Sequence, residues 1–269
     1  MTIDSKLQAE LIRVAHLLAQ AARPETLRHF RAAGLVAQDK GAEAFDPVTI
    51  ADRAAEEVMR NILARERPND AILGEEYGAT SGTTGLTWVL DPIDGTRGYI
   101  SGTPTWGVLI SVADDSGPLF GIIDQPFIGE RFVGGFGLAE VTGPTGIHSL
   151  TTRSARDLSE AIILTTFPEV GTKPEEHAFH GLAKRAMLTR YGMDCYGYAL
   201  LAAGQVDLVV EAGLNAYDIQ APIAVIQAAG GIVTDWRGGP AHHGGRALAA
   251  ANRDIHAQAL TILHELIND

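Results

Sequence analysis

The chain has 269 residues, of which 46% are hydrophobic, and it carries a formal net charge of -12 at pH 7. That length allows one large core or two fused subdomains, and the acidic balance argues against a module that binds nucleic acid through a basic surface. No stretch approaches the ~20 apolar residues of a membrane span, and a single cysteine, Cys195, excludes an intramolecular disulfide, so we expect a cytoplasmic protein with no nucleic-acid or membrane partner.

The first part of the chain predicts two helices. Residues 4–33 have the spacing of an amphipathic helix, with a break expected near Pro24, and their early acids are not typical of a signal peptide. After an extended segment, "DPVT", a second helix is predicted over about 50–67, with Thr49 and Asp52 as a capping box.

The middle of the chain predicts strands, and the C-terminal part predicts strands that alternate with helices. "AILGEE", "TWVLDP", "TWGVLISVADDSGPLFGIIDQP" and "ERFVGGFG" have the apolar runs and turn residues of strands and hairpins. Such an order predicts a layered α/β (α+β) architecture of two subdomains, 1–145 and 146–269, with a soft boundary near 143–150. The helices expected after that boundary are 174–189, 195–203, 217–229 and 253–267.

Acidic side chains follow two of the predicted strands and begin one predicted helix. Glu75 and Glu76 follow "AILG", Asp91 and Asp94 follow "TWVL", and Asp218 begins the helix in "NAYDIQAPIAVIQAAGG". Ligands usually bind at the edge of a sheet where its strands end, and a set of oxygen ligands suits Mg²⁺. These acids therefore predict a magnesium site.

The segment "DPIDGT" combines two of these acids with a turn. Pro92 stops the strand ladder, which lets Asp91 and Asp94 converge on one cation. Gly95 allows close approach to the backbone, and its amide and that of Thr96 can hold a phosphate. The same residue types also occur in ordinary turns, which is the alternative for this segment taken alone.

Four segments in this order, "DPVTIAD", "GEE", "DPIDGT" and "YDIQAPIAVIQAAGG", resemble the inositol-monophosphatase-like family of magnesium-dependent phosphatases over nearly the whole chain. The resemblance implies an αβαβα layered fold and hydrolysis of a small-molecule phosphate monoester. It also implies on the order of two or three Mg²⁺ ions per active site and a homodimer.

The resemblance assigns roles to individual residues. Asp52 and Thr96 match the pair that activates the attacking water, and Glu75 is implied to be catalytic as well. The backbone amides of Gly95 and Thr96 would bind the phosphate. Glu211 matches a contact to the substrate. The implied metal ligands are Glu75, Asp91, the Ile93 carbonyl, Asp94 and Asp218.

Several departures from the inositol phosphatases resemble the histidinol-phosphatase branch of the family. Tyr217 replaces a common tryptophan, Pro222 lies in the following helix, Arg97 follows "DGT", and Asp194 stands where relatives have a small residue. The implied reaction converts L-histidinol phosphate and water to L-histidinol and phosphate in histidine biosynthesis.

The charge of that substrate supports the assignment. Histidinol phosphate has a protonated amine and an imidazole that titrates near neutrality, and Asp194 beside Glu211 would complement this positive end. An unpaired buried charge penalises a substrate without the amine. The alternative for Asp194 is an N-cap of the helix that opens at Cys195.

Other functions stay open. The first is an inositol-1-phosphate or broad-specificity sugar phosphatase, which would keep the same metal site. The second is a catalytically silent binding protein of the same fold, but no residue matched to a metal ligand is missing.

Overall fold

The computed structural model describes residues 3–32, 50–169 and 171–267, together with the backbone of 38–39 and 47–48. Within these residues, none of the helices combines the length and apolar character needed to cross a membrane. The helices are α1 Ser5–His29, α2 Ile50–Glu66, α3 Thr96–Ser101, α4 Lys173–Ala183, α5 Asp194–Ala202, α6 Ala216–Ala228 and α7 Arg253–Ile267.

The strands form two large sheets and one short pair. The short pair is antiparallel and consists of β1 Gln38–Asp39 and β2 Pro47–Val48. The first sheet contains β3 Ala71–Gly74, β4 Gly78–Thr80, β5 Thr87–Asp94, β6 Gly107–Asp114, β7 Gly117–Gln125, β8 Glu130–Gly135, β9 Leu138–Gly143 and β10 Gly146–Ser149. The second contains β11 Ile162–Thr165, β12 Leu188–Tyr191, β13 Leu208–Leu214, β14 Ile232–Thr234 and β15 Gly245–Ala250.

The large sheet has the order β10-β9-β8-β7-β6-β5-β3-β4, and all of its neighbours are antiparallel except β3 and β5. The smaller sheet has the order β12-β11-β13-β15-β14, in which β11 runs parallel to both of its neighbours. Parallel neighbours deliver their carboxyl ends to the same edge, so β3 and β5 bring Glu75, Asp91 and Asp94 to that edge.

Five layers follow from the way these elements bury their apolar faces. Side chains of β6 alternate between two cores: Val108 and Ile110 pack with α1 and α2, whereas Leu109 packs with α5 and α6. Helices α5 and α6 lie between the sheets, and α4 and α7 pack on the far side of the smaller sheet. The predicted αβαβα architecture is confirmed.

Three expectations about local structure are wrong. Helix α1 continues through Pro24 because its buried face, which includes Ala22 and Thr26, is continuous across the proline. Helix α4 ends at Ala183, and the segment that follows pairs with β11 as β12, so sheet pairing overrides the helical pattern there. Pro92 does not end β5 but interrupts its ladder with β6, because a bulge separates Asp91 and Asp94 before pairing resumes.

The remaining predicted helices are close to those observed. Helix α2 spans Ile50–Glu66, but Thr49, one half of the predicted capping box, lies outside the described residues. The large sheet ends at Ser149 and the smaller one begins at Ile162. The chain therefore passes from one sheet to the other at and just after the predicted boundary near 143–150. The division into two subdomains stays a prediction.

Candidate active site

Three carboxylates converge where β5 ends and α6 begins. Asp91, Asp94 and Asp218 each offer an oxygen within 4.8 Å of the others. The bulge in β5 orients the first two, and a capping box fixes the third, because Asp218 accepts a 2.6 Å hydrogen bond from the backbone N–H of Asn215. The chain thus brings together acids that are separated by more than a hundred residues.

The electrostatics of this cluster favour a bound cation. Burial raises the pKa of Asp91, and the charges of Glu75, Asp94, Asp218 and Asp52 raise it further. One oxygen of Asp91, Oδ1, is buried and has no hydrogen-bond partner among the described residues. A buried polar atom without a partner is costly, and a hard divalent cation with oxygen ligands would satisfy it. The residues present therefore fit Mg²⁺.

Asp94 is the last residue of β5 and belongs to this group of carboxylates. Burial raises the pKa of this carboxyl, and the charges of Asp194 and Asp218 act in the same direction. The backbone N–H of Cys195 donates a 2.7 Å hydrogen bond to Asp94 Oδ2 and opposes that rise.

Glu75 and Asp52 lie near Asp91, beside the three clustered carboxylates. Glu75 directly follows β3, and its backbone N–H donates to the Leu90 carbonyl on β5. Asp52 is 1% exposed in the first turn of α2. The charges of both act on the pKa of Asp91, so the structure brings these two predicted site residues to the acid cluster.

The turn after β5 has the compact form that its glycine permits. Gly95 has φ 83°, in the left-handed region, and a Cβ there would lie 2.7 Å from Asp194 Cγ. The Thr96 hydroxyl donates a 3.1 Å hydrogen bond to the Ile93 carbonyl. The predicted phosphate-binding amides therefore adjoin both the acid cluster and Asp194.

The interpretation of Asp194 as a helix cap is wrong. The N-cap of α5 is Met193, without a side-chain capping bond. Asp194 instead has φ 47°, an uncommon conformation for a residue with a side chain, and its Oδ2 accepts a 3.0 Å hydrogen bond from the Thr105 hydroxyl. Burial raises its pKa, while this hydrogen bond and the charge of Arg97 lower it.

Glu211, on β13, is a carboxylate that is 4% exposed. It accepts hydrogen bonds from the Thr165 hydroxyl at 3.0 Å, the Thr166 backbone N–H at 2.6 Å and the Thr166 hydroxyl at 3.0 Å. Burial nevertheless raises its pKa to about 7, and the charge of Asp194 adds to the rise. Phe167 directly follows Thr166, and the Arg97 guanidinium lies 4.9 Å from the centre of its ring. This contact connects α3 to the segment after β11.

The sequence interpretation missed two buried residues near the site. The Tyr198 hydroxyl has no hydrogen-bond partner among the described residues, and burial together with the charges of Glu211, Asp94 and Asp218 raises its pKa. Glu56 lies one helical turn after Asp52 and contacts the segment that follows Glu75. The four-residue spacing from Asp52 puts Glu56 on the same helix face but does not predict its contact with the turn after Glu75, and no sequence signal pointed to Tyr198.

Comparisons with known proteins agree with this geometry. A family model described as "Inositol monophosphatase family" matches residues 7–268. A solved structure of an inositol monophosphatase from Zymomonas mobilis superposes with a TM-score of 0.83 at 39% identity, covering 94% of this chain and 97% of that chain.

Two relatives are similar in sequence. A chloroplastic bifunctional phosphatase from Arabidopsis thaliana is 41% identical over 229 residues, which cover 81% of this chain and 65% of that protein. The chain thus matches just under two thirds of that relative's length. A histidinol-phosphatase from Streptomyces coelicolor is 36% identical, over 94% of this chain and 97% of that protein.

Proposed function

This chain belongs to the inositol monophosphatase family and is a phosphoric monoester hydrolase, and we propose that its substrate is L-histidinol phosphate. The observation that carries the proposal is the half-buried Asp194 carboxylate, which lies against Gly95 in the turn that is expected to receive the phosphate. The reaction would yield L-histidinol and phosphate in histidine biosynthesis.

The position of Asp194 suits the covalent structure of this substrate. In histidinol phosphate, the ammonium is on the carbon next to the one that bears the ester oxygen. A carboxylate that pairs with it must therefore adjoin the phosphate site, and Asp194 does so. Inositol 1-phosphate offers only hydroxyls at that distance, and hydroxyls compensate a partly buried carboxylate less well than an ammonium does, even beside the charge of Arg97.

Glu211 is the residue we assign to the imidazole. Its carboxylate is fixed by Thr165 and Thr166, and its pKa of about 7 lies close to that of an imidazole. A hydrogen bond between the two groups would favour the charged form of each. Asp194 would then pair with the ammonium and Glu211 with the imidazole.

The chain's own residues supply the rest of the mechanism. When bound, Mg²⁺ supplies positive charge that neutralises the phosphate and acidifies the attacking water, and Glu75, Asp91, the Ile93 carbonyl, Asp94 and Asp218 would hold it. Because the Thr96 hydroxyl donates to Ile93, its oxygen is left to accept a hydrogen bond from that water. Asp52 is the base we assign to take the proton.

Similarity supports the family but does not choose the substrate. The relative named histidinol-phosphatase and the structure named inositol monophosphatase are 36% and 39% identical to this chain. The inositol-1-phosphate phosphatase therefore remains the alternative function, and a preference for histidinol phosphate would depend on Asp194.

The deciding experiment compares phosphate release from L-histidinol phosphate and myo-inositol 1-phosphate with Mg²⁺. We expect kcat/KM to be at least about 100-fold higher for histidinol phosphate, since losing a charged partner in a buried site costs about 3 kcal/mol or more. A higher value for inositol 1-phosphate would contradict the proposal and keep the metal mechanism.

Three further expectations belong to the same proposal. We propose a homodimer, a cytoplasmic location, and a division of the chain into an N-terminal subdomain with most metal ligands and a C-terminal one with the substrate contacts. These follow from the family resemblance and the composition.

A further inference from the structure

A buried glutamate on α2 holds the segment that follows the predicted ligand Glu75. The side chain of Glu56 is fully buried. Its Oε2 accepts a 2.7 Å hydrogen bond from the backbone N–H of Glu76, and its Oε1 accepts one of 3.2 Å from that of Tyr77. These are the two residues directly after Glu75, so Glu56 fixes the backbone from which that ligand projects.

A second residue on the same helix face balances the buried charge and extends the contact. Arg60 Nε donates a 2.7 Å hydrogen bond to Glu56 Oε1. The same guanidinium donates to the Gly78 carbonyl and, at 3.0 Å, to the Thr80 hydroxyl. Helix α2 thereby holds both the turn after Glu75 and the strand β4 that follows it.

The backbone just before the ligand is shaped to admit Glu56. A Cβ on Gly74, the last residue of β3, would lie 2.0 Å from Glu56 Oε1. Since Gly74 does not have a positive φ, the absence of a side chain serves the close approach rather than the backbone conformation.

We propose that Glu56 is a positioning residue that sets the affinity of the metal site by directing Glu75 toward Asp91. Asp52 is one turn earlier on the same helix, so one rigid element fixes both the residue assigned to the water and the ligand assigned to the metal. The inference rests on the metal role of Glu75 but not on the identity of the substrate. Outer residues that orient ligands typically change metal affinity by 10- to 100-fold when mutated.

The test is Mg²⁺ binding to metal-free protein, measured by calorimetry, for Glu56→Gln against the matched control Asp70→Asn. Asp70 is also a buried carboxylate with an arginine Nε at 2.7 Å, from Arg67, but it does not contact the turn after Glu75. A glutamine at 56 places an amide donor against groups that are themselves donors, so at least one bond to the turn is lost. We expect the dissociation constant to rise about tenfold or more for Glu56→Gln and to stay within about twofold for Asp70→Asn.

A second variant keeps every charge. Gly74→Ala displaces the Glu56 carboxylate from the turn, and we expect it to weaken Mg²⁺ binding in the same way even if Glu56→Gln does not fold. Thermal unfolding in EDTA distinguishes a positioning role from a merely structural one. A merely structural role would lower the Tm of Glu56→Gln and Asp70→Asn alike and leave the Mg²⁺ affinity unchanged. Unchanged affinity in Glu56→Gln or Gly74→Ala would overturn the inference, whereas a wild-type protein that binds no Mg²⁺ would instead overturn the metal site itself.

Discussion

The backbone N–H of Cys195, on α5, donates a 2.7 Å hydrogen bond to the carboxylate of Asp94 at the end of β5. This bond connects α5, in the C-terminal part of the chain, to Asp94, one of the three clustered acids. It also fixes the preceding residue, Asp194, whose carboxylate accepts from Thr105 and lies against Gly95. The proposed selection of the substrate by Asp194 and the metal site would therefore be coupled through one turn of backbone.

Replacing Asp94 with asparagine should abolish turnover and stabilise the metal-free protein. The amide keeps an acceptor for the Cys195 N–H but removes a half-buried charge whose neighbours, Asp194 and Asp218, repel it. We expect phosphate release to fall by at least about 1,000-fold through loss of the cation's charge stabilisation, and the Tm in EDTA to rise. Asp114→Asn is the control, since among the described residues that carboxylate accepts its hydrogen bonds from Ser116, two positions on; a Tm in EDTA that falls in Asp94→Asn would contradict this account.

Replacing Asp194 with asparagine should change the substrate preference. The amide can still accept from Thr105 but cannot neutralise an ammonium, so KM for histidinol phosphate should rise about 10- to 100-fold. Steady-state kinetics on inositol 1-phosphate are the internal control and should change by less than about threefold. Equal effects on the two substrates would show that Asp194 acts on the shared phosphate site.

Much of the site could be predicted because local sequence rules place its residues. Asp91 and Asp94 lie at the end of an apolar strand, and Asp218 lies in the first turn of a helix, so a shared site follows from the rule that ligands bind where the strands of a sheet end. The bond from Cys195 to Asp94 could not be predicted in this way, because it uses a backbone group that every residue type carries. Its partners are 101 positions apart, and only the packing of α5 brings them together.

The missed features have similar causes. Strand β12 was not predicted because its residues continue a helical pattern, and its pairing with β11 is a long-range contact. Glu56 looks like an ordinary polar residue of a helix until Gly74 is placed beside it. Tyr198 lies in a helix that is apolar on most sides, and its position near three acids depends on how α5 enters the space between the sheets.

The pKa of Glu211 predicts a change of stability with pH. Its value of about 7 in the folded protein lies above the ordinary 4.5, so between these pH values the folded state holds a proton that the unfolded state has released. The free energy of unfolding should therefore fall as pH rises through this window, by up to about 3 kcal/mol from this group.

Glu211→Gln isolates that contribution. The variant cannot titrate, so the difference in unfolding free energy between variant and wild type, measured by urea denaturation in EDTA, should shift in the variant's favour between pH 4.5 and 7. Asp91 and Asp94 titrate in both proteins and cancel in the difference. Parallel pH profiles would show that Glu211 is already ionised across the window.

Removal of the metal should destabilise the protein in a pH-dependent way. At a Mg²⁺ concentration of about 100 times the dissociation constant, binding to the folded state alone adds about 3 kcal/mol, which raises the Tm by about 5–10 °C for a chain of this size. The shift should shrink as the pH falls, because protonation of Asp91 and Asp94 competes with the cation. Scanning calorimetry with Mg²⁺ and with NaCl at matched ionic strength measures it, and an equal shift with both salts would indicate general screening.

Replacing Tyr198 with phenylalanine should separate a role in stability from a role in substrate binding. The hydroxyl is buried without a hydrogen-bond partner among the described residues, and such a group costs about 1–3 kcal/mol, so its removal should raise the free energy of unfolding of the ligand-free protein. If the hydroxyl's partner is the bound substrate, as its nearness to Glu211 and Asp94 suggests, KM for histidinol phosphate should rise by about tenfold in the same variant.

Tyr99→Phe is the matched control, since the Tyr99 hydroxyl already donates a 2.6 Å bond to the Thr26 carbonyl and its loss should lower stability. A Tyr198→Phe protein that is less stable than wild type would mean that the hydroxyl is satisfied in the free protein, and the rise in KM would then have no basis.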